Sequence, residues 1–308
     1  FMTPRILTVT LNPAIDRIIR RDRPSPSALS FAGGKGVNVA RAARALGMPV
    51  RAIGMAGGPA GRLLSELLDQ EGIPHKFTLI QRTTRTNVTM VGKRGGVQRK
   101  IAAGPVVAQK ERDAFEAFFR REAVRSSVVV LSGSLPSGFP LKGFSALVLE
   151  AQRAGALTVV DARGAALEAA LGLGVDVIKP NREEAEEVLG FKLSSRAMLR
   201  KALRSFTRYG IKKVLISLGR DGIGASDGEK EFLLSTPAAT TGHAVGCGDA
   251  ALAGFLSKDL KGGDFPACVM YAAACGYANM RADVPGGIIK KDADQALTML
   301  MKRKVVWL

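Results

Sequence analysis

The chain has 308 residues, enough for one large domain or two modest ones, and at 46% hydrophobic it has ample material for a buried core, which excludes wholesale disorder. No apolar stretch approaches the roughly 18 residues that a membrane span needs. Lys and Arg number 45 against 27 Asp and Glu, a net charge of +18, yet no basic run reaches five and the denser clusters are only 17–23 and 93–100, so the charge reads as attraction for small anions rather than a nucleic-acid track.

Phe1 precedes Met2, and no signal-peptide pattern follows. Three cysteines (Cys247, Cys268, Cys275) without a CxxC pair, and only two histidines, point to a reducing cytoplasm and away from a disulfide framework or a zinc site. Short apolar runs then alternate with amphipathic ones. Residues 6–11 read as a buried strand, and 16–20, continuing to Phe31, as exposed strand. Residues 37–46 read as a helix with Val37, Ala40 and Ala43 on one face and Arg41 and Arg44 elsewhere. A strand follows at 50–55, and 61–70 carries Leu63, Leu64, Leu67 and Leu68 at helical spacing. Residues 87–91 and 97–101, separated by Gly95-Gly96, alternate polar and apolar side chains and read as a β-hairpin with one wet face. Helices are expected at 109–124, 143–154, 183–189 and 196–209, and strands at 127–131, 157–161, 175–178 and 213–217. Residues 237–243 read as loop before a helical run at 250–256. Strands interleaved with helices call for an α/β fold with a mostly parallel sheet covered on both faces. The two wet-faced pieces, near 16–32 and 86–103, form a small β-sheet lid. Nothing resembles a linker, so 1–308 reads as one domain.

Three segments can carry chemistry. In Gly246-Cys247-Gly248-Asp249-Ala250-Ala251, two glycines at a helix start let backbone N–H groups approach an anion closely. The string satisfies G-x-G-x-x-A, but a dinucleotide fingerprint follows a strand early in a βαβ unit, and this one follows loop near the C-terminus. Asp249 beside an anion cradle makes sense if it takes a proton from a hydroxyl attacking phosphorus. The plainer alternative is a carboxylate stabilising the helix dipole. Gly33-Gly34-Lys35-Gly36-Val37-Asn38 also leads into a helix and is not a P-loop. Asn38 there suits sugar hydroxyls, or else bonds its own backbone. In Lys179-Pro180-Asn181-Arg182-Glu183-Glu184, Asn181 and Glu184 fit a helix cap, and equally a water-mediated Mg²⁺-phosphate contact.

Taken with Thr10-Leu11-Asn12-Pro13-Ala14-Ile15-Asp16, Thr84-Arg85-Thr86-Asn87, Ser132-Gly133-Ser134-Leu135-Pro136 and Ser217-Leu218-Gly219 with Gly222, these segments stand in the chain order of the PfkB carbohydrate kinases, and the sequence resembles that family over nearly its whole length. The opening looks like the phosphosugar branch of 1-phosphofructokinase and tagatose-6-phosphate kinase. The resemblance implies a ribokinase-like fold and ATP- and Mg²⁺-dependent phosphoryl transfer to a hydroxyl of a sugar phosphate. It implies Asp249 as base, with the N–H groups around Gly246, Cys247 and Gly248 as anion hole. Asp16, Gly34 and Asn38 would hold the sugar, with Lys35 beside them. Arg85, aided by Ser134, would bind the phosphate already present. Asn181 and Glu184 would organise Mg²⁺-ATP, with Lys179 near the phosphates. Ser217, Gly219 and Gly222 would line the nucleotide site, and 273–278 would pack by the adenine. The lid implies a homodimer, with neither nucleic acid nor membrane as partner.

The sequence departs from the family pattern at Cys247, where alanine is usual, and at Ala244, where a hydroxyl residue is usual. The stretch from Asp16 to Asn38 is also shorter than is common. A thiol at a helix N-terminus has a lowered pKa and invites oxidation, or Cys247 is an inert small side chain. Two other readings stand beside the phosphosugar kinase. One is a kinase for an unphosphorylated sugar or nucleoside, and the other is a non-catalytic sugar-phosphate-binding protein of the same fold. Either kinase reading requires Asp249 and the Gly33–Asn38 turn, over 200 positions apart, to meet.

Overall fold

In a computed structural model, the described residues are 5–20, 27–92, 97–236, 244–302 and 305–308. The chain opens with β1 (Ile6–Thr10), β2 (Ala14–Arg20) and β3 (Ser27–Gly33), then α1 (Lys35–Ala45), β4 (Val50–Gly57) and α2 (Gly58–Gln70). Next come β5 (His75–Ile80), β6 (Arg85–Val91), β7 (Val97–Lys100) and α3 (Gln109–Ala123). Strictly alternating elements follow: β8 (Val128–Ser132), α4 (Leu141–Arg153), β9 (Leu157–Asp161), α5 (Ala165–Gly172) and β10 (Val177–Ile178). After these lie α6 (Arg182–Leu189), α7 (Arg196–Arg208), β11 (Lys213–Ser217), β12 (Ile223–Ser226), β13 (Glu231–Leu234), α8 (Cys247–Asp259), α9 (Phe265–Asn279), α10 (Lys290–Leu300) and β14 (Val305–Trp307).

The large sheet has ten strands in the order β14-β13-β12-β11-β10-β9-β8-β1-β4-β5. It is parallel from β11 to β5 and antiparallel from β11 to β14. Its middle strands are apolar on both faces, as buried parallel strands must be. On β8, Val128 and Val130 join a core shared with α1, α2, α8, α9 and α10, while Val129 and Leu131 join one shared with α3, α4, α5 and α7. The order β1-β8-β9-β10-β11 brings Asn12, Ser134, Asp161, Lys179 and Ser217 to one edge, because each lies at or just beyond the carboxyl end of a neighbouring strand. Such an edge is where ligands bind in open α/β sheets.

The four-stranded sheet runs β3-β2-β6-β7 and matches the wet-faced segments of the sequence. β6 and β7 pair antiparallel as the hairpin required, with Val88 opposite Lys100; the Gly95-Gly96 turn and the 237–243 loop lie outside the described residues. Arg41, which the spacing sets apart from the apolar face of α1, is nevertheless covered: it is 6% exposed and hydrogen-bonded on all sides.

Candidate active site

Two helix starts face each other at the edge. α1 begins at Gly34, whose φ of 119° favours glycine and whose Cβ would stand 2.7 Å from Thr10 Cγ2. α8 begins at Gly246 (φ 83°), where a Cβ would strike Pro285. α1 packs against α8, which places Asn38 one turn into the first beside Asp249 in the first turn of the second. Asn38 Nδ2 donates to Asp249 Oδ2 at 2.7 Å across 211 positions of sequence. The two residues are each 6% exposed. Asn38 therefore spends its amide on the carboxylate and not on its own backbone.

Burial pushes the Asp249 carboxyl up to about 6; the negative charge of Asp161 adds to the rise, and Lys179, Lys35 and the Asn38 amide oppose it. Asp161, wholly buried at the end of β9, binds both ammonium groups: Lys35 Nζ at 2.9 Å and Lys179 Nζ at 3.2 Å. Burial would raise the Asp161 pKa, but the two lysines outweigh it and hold the carboxylate ionised. Lys35 also reaches Glu184 Oε1 at 3.1 Å, and the paired carboxylates keep it protonated against its own burial. Glu184 sits where the sequence demanded: Asn181 Oδ1 accepts from Glu184 N at 2.7 Å, and Glu184 Oε2 accepts from Asn181 N at 2.9 Å, closing a capping box on α6. A Cβ on Gly248 would stand 3.0 Å from Lys179 Nζ, so this buried ammonium lies against the start of α8. Of the three N–H groups expected to cradle an anion, that of Cys247 is engaged in a turn with Ala244 O at 3.2 Å.

On the other flank, Asp16 on β2 accepts from Asn87 Nδ2 at 2.7 Å, and a Cβ on Gly33 would stand 2.2 Å from its second oxygen. Arg85 donates to Asn12 O at 2.9 Å and Ala102 O at 3.3 Å, while its buried Nε has no partner among the described residues. Burial lowers the Arg85 pKa; Asp16 opposes the fall and the nearby charge of exposed Arg163 adds to it. Ser134 Oγ accepts from Asn12 Nδ2 at 3.1 Å, on the same wall. Ser217 bridges to Asn181 at the far end, followed by a tight turn with Gly219 at φ 62° and Gly222 at φ 106°. Ala273, Ala274 and Ala278 on α9 are buried, and Gly276 backs onto Cys247 O.

Sequence reasoning missed Asp161, Arg41 and Arg163. Asp161 ends an apolar strand, and a lone acid there reads as a strand terminator. Only the fold, which sets β9 between β8 and β10, shows it to be the hub of the cluster. Of the two readings of Cys247 the inert side chain is favoured: burial raises its pKa, and the charge of Asp249 adds to the rise against a hydrogen bond from Asn279.

The pfkB family carbohydrate kinase profile matches residues 14–283. Escherichia coli phosphofructokinase-2, solved with potassium, is 28% identical with a TM-score of 0.89, over 97% of this chain and 100% of that one. The same protein solved with fructose-6-phosphate gives 26% and 0.85 over the same shares. A possible 1-phosphofructokinase from Thermotoga maritima is 26% identical, with a TM-score of 0.87 and 99% of both chains covered. Arabidopsis thaliana ribokinase, complexed with ribose and ATP, is 22% identical with a TM-score of 0.76, covering 96% and 99%, and shares the fold. The buried acid–amide pair between two glycine-led helix starts, on a ribokinase-like sheet, is thus carried by a chain that belongs to the pfkB family of carbohydrate kinases.

Proposed function

We propose that the protein transfers a phosphoryl group from ATP to a hydroxyl of a hexose phosphate, fructose 1-phosphate or fructose or tagatose 6-phosphate, giving a bisphosphate. The observation that carries this is the Asn38–Asp249 contact at 2.7 Å, beside Lys179 and at the start of α8. Asp249, raised to about 6, is ionised near neutral pH yet basic enough to accept the proton of an attacking alcohol. Lys179 and the Gly248 N–H beside it then lie where charge develops on the transferring phosphoryl group. Asp16 and Asn38 hold sugar hydroxyls. Arg85, with an unpartnered buried Nε, and Arg163 beside it meet the phosphate already on the sugar. Ser217 and the glycine turn after it line the nucleotide side.

The donors on this edge fit Mg²⁺. No cluster of three His, Cys, Asp or Glu occurs among the described residues, but Asp161 and Glu184 converge on one cation, the Lys35 ammonium. Mg²⁺ needs only one or two carboxylates when waters and phosphates complete its shell. Asn181 and Glu184 would meet its hydration shell, Glu184 held in place by the capping box, while buried Asp161 stays with its two lysines. When bound, the ion would neutralise charge on the phosphates.

Partly buried Ile19 and Met90 are cross-strand neighbours on β2 and β6 of the four-stranded sheet. This sheet would act as a lid and as the seat of a homodimer. Among the described residues no helix is long and apolar enough to cross a membrane. The free thiols of Cys268 and Cys275 suit a reducing cytoplasm. A coupled ADP-release assay over fructose 1-phosphate, fructose 6-phosphate, tagatose 6-phosphate and free sugars tests the reading. Turnover with a free sugar at least equal to that with every phosphosugar would overturn it.

A further inference from the structure

Arg41 has no part in the reading above. Yet it is a buried arginine with its donors assigned in several directions. Nη1 donates to Asn38 Oδ1 at 3.1 Å and to Pro285 O at 2.6 Å. Nη2 donates to Ala32 O at 2.7 Å and Glu71 Oε1 at 2.9 Å, and Nε donates to Glu71 Oε2. The two-toothed pair with Glu71, just past the end of α2, fixes the plane of the guanidinium. That plane ties three separate pieces together: the end of β3 through Ala32, the 285–286 loop through Pro285, and α1.

The contact with Asn38 has a chemical consequence. A primary amide has one accepting end and one donating end, which differ little in shape. Arginine can only donate. Once Nη1 occupies Oδ1, the amide has one orientation left, with Nδ2 turned toward Asp249. Without that donor the amide can rotate and set Oδ1 against the Asp249 carboxylate, where two acceptors repel. The loop on the other side is closed as well: a Cβ on Gly286 would stand 2.3 Å from Asn38 O, and buried Asn279 accepts from Gly286 N at 2.6 Å while donating to Val245 O at 2.9 Å. Asn38 is thus held from its backbone by the loop and from its amide by Arg41.

We infer that Arg41 is a positioning residue for phosphoryl transfer: held by Glu71, it sets the Asn38 amide so that its N–H, and not its oxygen, meets the Asp249 carboxylate. This rests on Asp249 being the proton acceptor, and the test separates the two. Around Asp249 the charged groups are Asp161 on β9, Lys179 after β10 and Lys35 on α1, none of which contacts Arg41.

The test is a double-mutant cycle in the full-length enzyme with Arg41→Met, Asn38→Ala and the pair, scored by kcat, both KM values and the melting temperature. A hydrogen bond to a charged group is the interaction at risk, so Arg41→Met should lower kcat about tenfold to a hundredfold with KM for ATP nearly unchanged. In the Asn38→Ala background the same change should add less than about threefold, because Arg41 acts through Asn38. Equal losses in both backgrounds, or a loss confined to melting temperature, overturn the inference. The solvent-open cleft of about 760 Å³ lined by Arg41, Glu71, Phe31 and Ile288 offers a second readout: millimolar guanidinium should restore kcat to Arg41→Ala and leave Asn38→Ala unaffected, and rescue of neither also counts against the role. Should Arg41→Met fail to fold, Arg41→Lys takes its place in the cycle with the same criteria. Asp249→Asn is assayed alongside. If that variant retains wild-type turnover, the proton-acceptor reading falls; if it is inactive and the cycle is additive, the Arg41 inference alone falls.

Discussion

Asp249 combines two properties that pull against each other. It is buried, which costs stability when it is charged, and the proposed role of proton acceptor requires the charge. Asn38, Lys35 and Lys179 offset part of that cost without removing it, which is why the carboxyl sits near 6 and not at the usual value of 3.8. Two outcomes follow from the sign. The folded state holds this proton more tightly than the unfolded chain, so the contribution of Asp249 to stability is lost as pH rises from about 4 through about 6. Asp249→Asn should therefore melt higher than the parent at pH 7.5, by up to ~3 kcal/mol, and lose that advantage below pH 4. Its turnover should fall by about 10²- to 10⁴-fold with ATP binding retained, and the parent's kcat/KM for the sugar should drop on the acid side with a midpoint near 6. A rate that is flat from pH 5 to 8 contradicts the assignment. Arg85 divides the reactants: Arg85→Ala should raise KM for a phosphorylated sugar at least about tenfold while KM for ATP moves less than about twofold. Equal effects would mean that the guanidinium serves only the two carbonyls it now holds.

At the scale of elements, the legible parts were those whose burial is one-sided or whose ends carry chemistry. Strands at 157–161 and 213–217 match β9 and β11 residue for residue, because each is an apolar run with a polar terminus. α9 was not legible. Phe265–Asn279 is buried nearly all round, so no polar stripe marks a helical period. The short antiparallel strands β12, β13 and β14 were missed because four residues or fewer carry too little alternation to stand out. The start of α6 was legible as a cap, and the structure adds that the capping glutamate also binds Lys35, so one side chain joins helix start and charge cluster. That makes Asn181 a test of the element and not only of a ligand. Asn181→Ala should cost about 1 kcal/mol of stability, read in denaturant melts, and raise KM for Mg²⁺-ATP by freeing Glu184. A stability loss with unchanged nucleotide kinetics would leave the residue a cap and nothing more. Arg41 shows the opposite failure: helical spacing set it apart from the apolar face, and only the neighbouring loop and β3 reveal that its side is covered too.

The whole molecule contributes its charge and its two-sheet layout. If the smaller sheet seats a second copy as proposed, with Ile19 and Met90 in the contact, Ile19→Asp with Met90→Asp should halve the mass measured by sedimentation equilibrium; an unchanged mass places any interface elsewhere. The charge makes a separate demand. A net +18 is far from neutrality, and self-repulsion of that size opposes compactness, so it needs a return elsewhere. Both proposed substrates are anions; on the edge that would receive them Lys35, Arg85, Arg163 and Lys179 are matched by Asp16, Asp161, Glu184 and Asp249, so the attraction comes from the +18 of the molecule as a whole. A field of this sign steers anions to the edge over distances comparable to the Debye length, which shrinks from about 30 Å at 0.01 M salt to about 8 Å at 0.15 M. Steering acts on encounter and not on the bound complex. Raising potassium chloride from about 0.01 to 0.2 M should therefore lower kcat/KM for the sugar phosphate severalfold while kcat stays within about 1.5-fold. A free sugar offered as a poor substrate, carrying no charge, should show a much weaker dependence under saturating ATP. If the phosphorylated and free sugars respond alike, the excess charge guides neither, and double-stranded DNA binding that survives 0.15 M salt would show that the lysines and arginines serve a different polyanion.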